Sequence, residues 1–212
     1  MSQLNHLDVS LKASFYTQNE LTDKTENIWL LFHGYGQLSE YFLRKFHSLN
    51  PELNFLIAPQ GLSKFYLEGF TGRVGASWMT KDDRLTEIEN QYRYIDSVLD
   101  QFKFDWSQVH LNYFGFSQGV ATMCRYAAHA KIPFRKMVLW AGTFPPDLSN
   151  KDFDFIKGNE RVSYYTGTDD PFFKPGMKEE QLERVFQAMH IEADVLSFDG
   201  KHEIIPDLIA HL

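Results

Sequence analysis

The segment Tyr113-Phe114-Gly115-Phe116-Ser117-Gln118-Gly119 constrains this chain more than any other. It reads as a strand that stops on a serine and turns at once into a helix, the G-x-S-x-G pattern of a nucleophile elbow. The run before it (Val109, Leu111, Tyr113, Phe114) is strand-like, and the run after it (Val120 to Ala130) is helix-like. So tight a turn brings the positions two before and two after the serine into van der Waals contact, and both must be nearly free of side chain. Gly115 and Gly119 meet that demand. The serine hydroxyl is then pushed above the sheet edge. The Gln118 N–H points, with the helix start, toward the spot where a substrate carbonyl would develop negative charge.

The rest of the chain supplies a sheet for such a turn. Leu7, Val9, Leu11, Ala13 and Phe15 alternate with polar neighbours up to Tyr16, which predicts a half-exposed antiparallel edge strand. Ile28 to Phe32 and Asn54 to Ala58 are continuous apolar runs suited to buried central strands, with a helix over Leu38 to Leu49 between them. Residues 59–81 mix Gly61, Gly69, Gly72 and Gly75 with aromatics in no clear period, and are expected to form a long irregular cap or pocket wall. Ile88, Tyr92, Ile95, Leu99 and Phe102 mark one face of a helix from about Asp83. Strands follow at Val109 to Phe114, Lys136 to Ala141, Arg161 to Thr166 and Ala193 to Phe198, with helices at Lys178 to His190 and Glu203 to Leu212. The alternation implies one α/β domain over residues 1–212, with a mainly parallel central sheet, helices on both faces and an antiparallel N-terminal edge strand.

Bulk properties exclude several classes. A chain of 212 residues with 43% hydrophobic content can bury a sizeable core. Its net charge of -7 argues against nucleic acid or anionic lipid as a partner. The single Cys124 allows neither an internal disulfide nor a cysteine-based zinc site. Met1 to Tyr16 lacks the pattern of a secretory signal, and no run reaches the roughly 18 apolar residues of a membrane span. A cytoplasmic location without a membrane span is the expectation.

In a parallel sheet, reactive groups gather at the C-terminal strand ends. A serine hydroxyl needs a base to become a nucleophile, and that base needs a carboxylate to orient it. Of the eight histidines, His202 follows the last strand, just before the terminal helix. The carboxylate should leave the strand between serine and histidine, where Thr166-Gly167-Thr168-Asp169-Asp170-Pro171 stands. Pro171 holds Asp170 extended, which favours it over Asp169, with Asp147 a remoter candidate. The order serine, aspartate, histidine is that of the hydrolase fold. A second donor for a tetrahedral oxyanion, besides Gln118 N–H, is expected from Tyr35 in Phe32-His33-Gly34-Tyr35-Gly36, with His33 bracing the loop. No compact metal-ligand cluster accompanies His33.

With His33-Gly34-Tyr35-Gly36, Gly115-Phe116-Ser117-Gln118-Gly119, Gly167-Thr168-Asp169-Asp170-Pro171 and Gly200-Lys201-His202-Glu203 in this order, the chain resembles the α/β-hydrolase superfamily. Within it, the chain is similar to the small carboxylesterase, lysophospholipase and acyl-protein thioesterase family. The resemblance spans roughly Ile28 to the C-terminus. It implies a triad of Ser117, Asp170 and His202, an oxyanion hole from Tyr35 and Gln118, and no cofactor. Two departures fall near the acyl pocket: Gln37 stands where the family usually has aspartate, and Met79-Thr80 follows Ser77-Trp78 in place of Phe-Asp. The expected activity is hydrolysis of short- to medium-chain or aromatic carboxylic esters, uncharged ones given the acidic chain. Phe65, Tyr66, Phe70, Trp78 and Met79 are the candidate pocket wall, or else pack beneath the 59–81 loop with substrate selected elsewhere. A thioesterase or small peptidase on the same triad, and an inactive binding module, are the alternatives.

Overall fold

The computed structural model describes residues 2–212. Nine strands and five α-helices follow one another as β1 (Phe15–Gln18), β2 (Asn27–Phe32), α1 (Ser39–Leu43), β3 (Asn54–Pro59), β4 (Ser63–Glu68), β5 (Thr71–Ser77), α2 (Arg84–Leu99), β6 (His110–Phe116), α3 (Gln118–Ala130), β7 (Lys136–Trp140), β8 (Arg161–Gly167), α4 (Met177–Met189), β9 (Asp194–Phe198) and α5 (Pro206–Ile209). Seven strands form one sheet in the order β1-β3-β2-β6-β7-β8-β9. Within this sheet only the β1–β3 pairing is antiparallel. The fold is a mixed α/β one with a mostly parallel central sheet.

Both faces of this sheet are covered, which is why its central strands read as unbroken apolar runs. Ile28, Leu30 and Phe32 of β2 pack into one cluster with Ile95 and Val98 of α2, Met123 of α3 and Val185 of α4. Trp29 and Leu31, pointing the other way, join Phe42 of α1, Phe46 and Ile209 of α5. The register brings Phe32 opposite Gly115, Phe116 opposite Trp140 and Gly167 opposite Phe198, so the C-terminal strand ends line up along one edge.

Four expectations are corrected. The edge strand covers Phe15–Gln18 rather than Leu7 to Tyr16, because Phe15 already pairs with Pro59 at the end of β3 and earlier residues have no strand to meet. The helix expected over Leu38 to Leu49 divides into α1 and a 3-10 turn over Arg44–Phe46. Residues 59–81 are not irregular. They hold the antiparallel hairpin β4–β5, turned through Gly69 and Phe70, with Gly69 and, at the start of β5, Gly72 at φ 72° and 91°, values that suit glycine without strain. Both its faces are largely exposed, so no alternation marks it. Finally, the terminal helix is confined to Pro206–Ile209. No helix of the described residues is long and apolar enough to cross a membrane.

Candidate active site

Strand β6 ends at Phe116, and Ser117 turns the chain into α3 with φ 55° and ψ -120°, a strained conformation for a residue with a side chain. The turn survives because its surroundings leave no alternative. A methyl group on Gly119 would lie 2.2 Å from the Phe32 carbonyl oxygen, and one on Gly115 would lie 2.7 Å from Val120 Cα. From the β7 side, Ser117 N–H donates to the Trp140 carbonyl at 2.9 Å.

Two other strand ends reach this serine. His202 Nε2 lies 2.8 Å from Ser117 Oγ, and His202 Nδ1 lies 2.7 Å from Asp170 Oδ2. Asp170 is buried, and its second oxygen accepts the Phe172 N–H at 2.9 Å. A carboxylate so placed selects the imidazole tautomer protonated on Nδ1 and leaves Nε2 free to accept a proton from the serine. Phe116 and Phe172 flank the imidazole, with ring centroids 5.0 and 4.6 Å away. Asp169 is exposed and meets the histidine loop only through its backbone N–H, which donates to the Gly200 carbonyl at 2.9 Å. Asp147 is turned elsewhere, toward Arg84 and Arg125.

The loop after β2 completes the edge. His33 is fully buried: its Nε2 accepts the Gly61 N–H at 3.0 Å and its Nδ1 donates to the Gly34 carbonyl at 2.8 Å. Burial lowers its pKa to about 4, so the ring is a neutral brace. Gln37 accepts the Gly34 N–H at 2.8 Å. Tyr35 N–H and Gln118 N–H have no hydrogen-bond partner among the described residues, and both residues line the cavity that opens at Ser117. The hairpin β4–β5 seats directly on this loop: Gly36 N–H donates to the Ala76 carbonyl at 2.8 Å, and a methyl on Gly75 would fall 2.5 Å from the Gly36 oxygen.

Comparison with known proteins gives a family and a fold. The profile of the family described as Serine hydrolase (FSH1) matches residues 23–209. The chain belongs to that serine hydrolase family. No curated protein matches it. Among solved structures, esterase PE8 superposes with a TM-score of 0.70 at 17% identity, covering 95% of this chain and 96% of its own. Acyl-protein thioesterase 2 of Zea mays gives 0.68 at 15% identity, with 92% and 94% covered, and the Bacillus cereus carboxylesterase gives 0.65 at 16%, with 94% and 91% covered. At such identities the likeness is one of fold, the α/β-hydrolase fold.

The hydrolase's cavity beside Ser117 measures about 550 Å³, within the usual range for a small-molecule site. Two slightly larger hollows, beside α1 and under the N-terminal segment, hold none of Ser117, Asp170 and His202. Of the five aromatic and apolar residues expected as a pocket wall, only Met79 lines the cavity. Trp78 is 2% exposed; it stacks on His33 at 4.8 Å and donates from Nε1 to the His33 carbonyl. Phe65 stacks on Tyr35 at 5.1 Å, Tyr66 is half-exposed, and Phe70 is 94% exposed at the hairpin tip. The Gln118 side chain holds the 77–79 segment, donating to the Met79 carbonyl at 2.8 Å and accepting the Trp78 N–H at 3.1 Å. The walls that sequence reasoning missed are Ala121 and Arg125 of α3, Thr143, and Phe172, Phe173 and Met177 before and within α4. Ala121 and Arg125 had a signal, since they recur four and eight residues after Ser117 on one helix face.

Proposed function

We propose that this hydrolase cleaves carboxylic esters through an acyl-enzyme formed on Ser117. The observation that carries the reading is the hydrogen-bonded line from Asp170 through His202 to Ser117. In this mechanism Ser117 Oγ attacks the substrate carbonyl carbon while His202 Nε2 takes its proton. Asp170 holds the ring in position and stabilises the imidazolium that forms. The oxyanion accepts hydrogen bonds from Tyr35 N–H and Gln118 N–H, the latter at the positive end of α3, and each such donor is worth about 3 kcal/mol in the transition state. The intermediate collapses, the C–O bond to the alcohol breaks, and His202 returns the proton to the leaving oxygen. Water, deprotonated by the same imidazole, then releases the acid and restores Ser117.

A cavity of about 550 Å³ supports acids of short to medium length or with an aromatic ring. The same constellation would act on a thioester, so paired oxygen and sulfur esters of one acid belong in the first assay. A fluorophosphonate probe with mass spectrometry tests the nucleophile, and a series of p-nitrophenyl esters tests the activity. Labelling at Ser117 and loss of several orders of magnitude in kcat in Ser117→Ala are expected. A folded wild-type protein that is neither labelled nor active would be a binding module instead.

A further inference from the structure

Arg125 lies eight residues beyond Ser117 on α3, with Ala121 on the same face between them, so about 12 Å of helix axis separates the two ends of one cavity wall. The Arg125 side chain is only 8% exposed, and a buried guanidinium calls for acceptors on all five of its N–H groups. Nε and Nη2 donate to Asp147 Oδ2 and Oδ1 at 2.9 and 2.7 Å. Nη1 reaches only the Met79 sulfur, at 3.7 Å, a weak acceptor. The remaining donors have no partner among the described residues.

Nor does Asp147 serve Arg125 alone. Asp147 Oδ1 also accepts from Arg84 Nη2 at 3.0 Å, so one carboxylate serves two guanidinium groups. Hydrogen bonds from Arg125 and Arg84 hold the Asp147 carboxyl far below the usual carboxylate range, and it stays ionised. Asp152 adds a second negative charge to the neighbourhood, and its Oδ2 accepts from Ser149 N–H and Oγ at 2.8 and 2.9 Å, so it makes no hydrogen bond to Arg125. Among the described residues lining the cavity, Arg125 is the only permanently charged one. The net charge of -7 repels anions at long range, but it is screened beyond about 10 Å; at contact the nearest charge decides.

We propose that the substrate carries a carboxylate remote from the scissile carbonyl, and that Arg125 receives it in this cavity. The unfilled coplanar donors of the one permanently charged residue among those described in the cavity wall match one carboxylate. This rests on the ester-hydrolase reading and narrows its substrate class to esters of which one end is an acid.

Paired esters test this with the whole chain. Monomethyl adipate against methyl hexanoate puts the carboxylate on the acyl side; 6-acetoxyhexanoate against hexyl acetate puts it on the alcohol side. Methanol or acetate release is followed by proton NMR. In one of the pairs the charged ester should exceed the neutral one in kcat/KM by about tenfold or more, the worth of one charge-assisted hydrogen bond. Arg125→Met should bring that ratio to one or below. Ratios at or below one in both pairs for the wild type overturn the proposal while ester hydrolysis stands. A high ratio that persists in folded Arg125→Met also overturns it. If Arg125→Met does not melt cooperatively, Arg125→Lys replaces it: a ratio below the wild-type value supports the assignment, and an unchanged ratio overturns it. If the wild type cleaves no ester at all, the ester reading fails separately, and melting shifts decide the anion site. Hexanoate must then raise the wild-type Tm more than hexanamide does, and equal shifts overturn the site.

Discussion

Gly167 and Lys201 touch backbone to backbone: a methyl group on Gly167 would lie 2.3 Å from the Lys201 carbonyl oxygen and 2.5 Å from that of Gly200. The loop bearing Asp170 and the loop bearing His202 are thus one packed unit, tied further by Thr168 N–H to the Phe198 carbonyl at 2.9 Å. Neither loop can shift alone without moving a member of the Asp170–His202 pair.

Gly167→Ala therefore tests positioning. The added methyl must push the 200–202 backbone away, and a displacement of about 1 Å in a reacting group can cost about 100-fold. The expected outcome is such a loss in kcat with a folded protein by circular dichroism. Wild-type kcat in the variant would show that the loop yields without moving His202.

Asp170→Asn should lower kcat by about 10⁴-fold, since an amide favours the wrong imidazole tautomer. Asp169→Asn should change kcat less than about twofold, because only its backbone N–H meets the histidine loop. Steady-state kinetics on one p-nitrophenyl ester separate the two, and a reversed order would remove Asp170 from its role.

Trp78→Ala should act on stability rather than on specificity. Its indole is buried against His33 and Phe32, and emptying such a site costs about 3–5 kcal/mol. A clear drop in Tm with an unchanged chain-length preference is expected. A changed preference with Tm kept would return Trp78 to the substrate wall.

His33 makes stability depend on pH. Its folded pKa is lowered from 6.5 to about 4 by burial, so the unfolded chain binds the proton more readily. Stability from this group is complete above pH 6.5 and is lost as pH falls toward 4, on the order of 3 kcal/mol in all. Urea melts at pH 7, 5.5 and 4.5 should show the decline, and a His33→Gln variant should show a shallower one. Equal slopes would assign the acid sensitivity elsewhere.

The parallel strands were legible because burial on both faces leaves a mark that needs no context: Ile28 to Phe32 is apolar at every position. The meeting of Ser117, Asp170 and His202 could be anticipated from strand ends, since parallel strands deliver their C-termini to one edge. The hairpin β4–β5 was hidden because most of it is exposed on both faces, only Gly75 to Ser77 being buried, and glycines scattered through it look like disorder of pattern. The burial of Trp78 and of Arg125 was hidden for the opposite reason, although the helix face that Arg125 shares with Ser117 could be read from the spacing. An indole reads the same in sequence whether it lines a cavity or fills a core. An arginine in a helix reads as solvated until the tertiary fold closes over it.

The serine and its histidine are 85 residues apart in the chain, and the histidine and its aspartate 32. They meet only once β6, β7, β8 and β9 lie side by side in the sheet, and such non-local pairing is slow to form. A chain arrested before that stage holds an ordinary alcohol at position 117, inert toward an electrophile. Probe reactivity is then a census of completed molecules: in a pulse experiment during refolding, the labelled fraction would count chains whose last strand has docked, a quantity that helical signal alone cannot report.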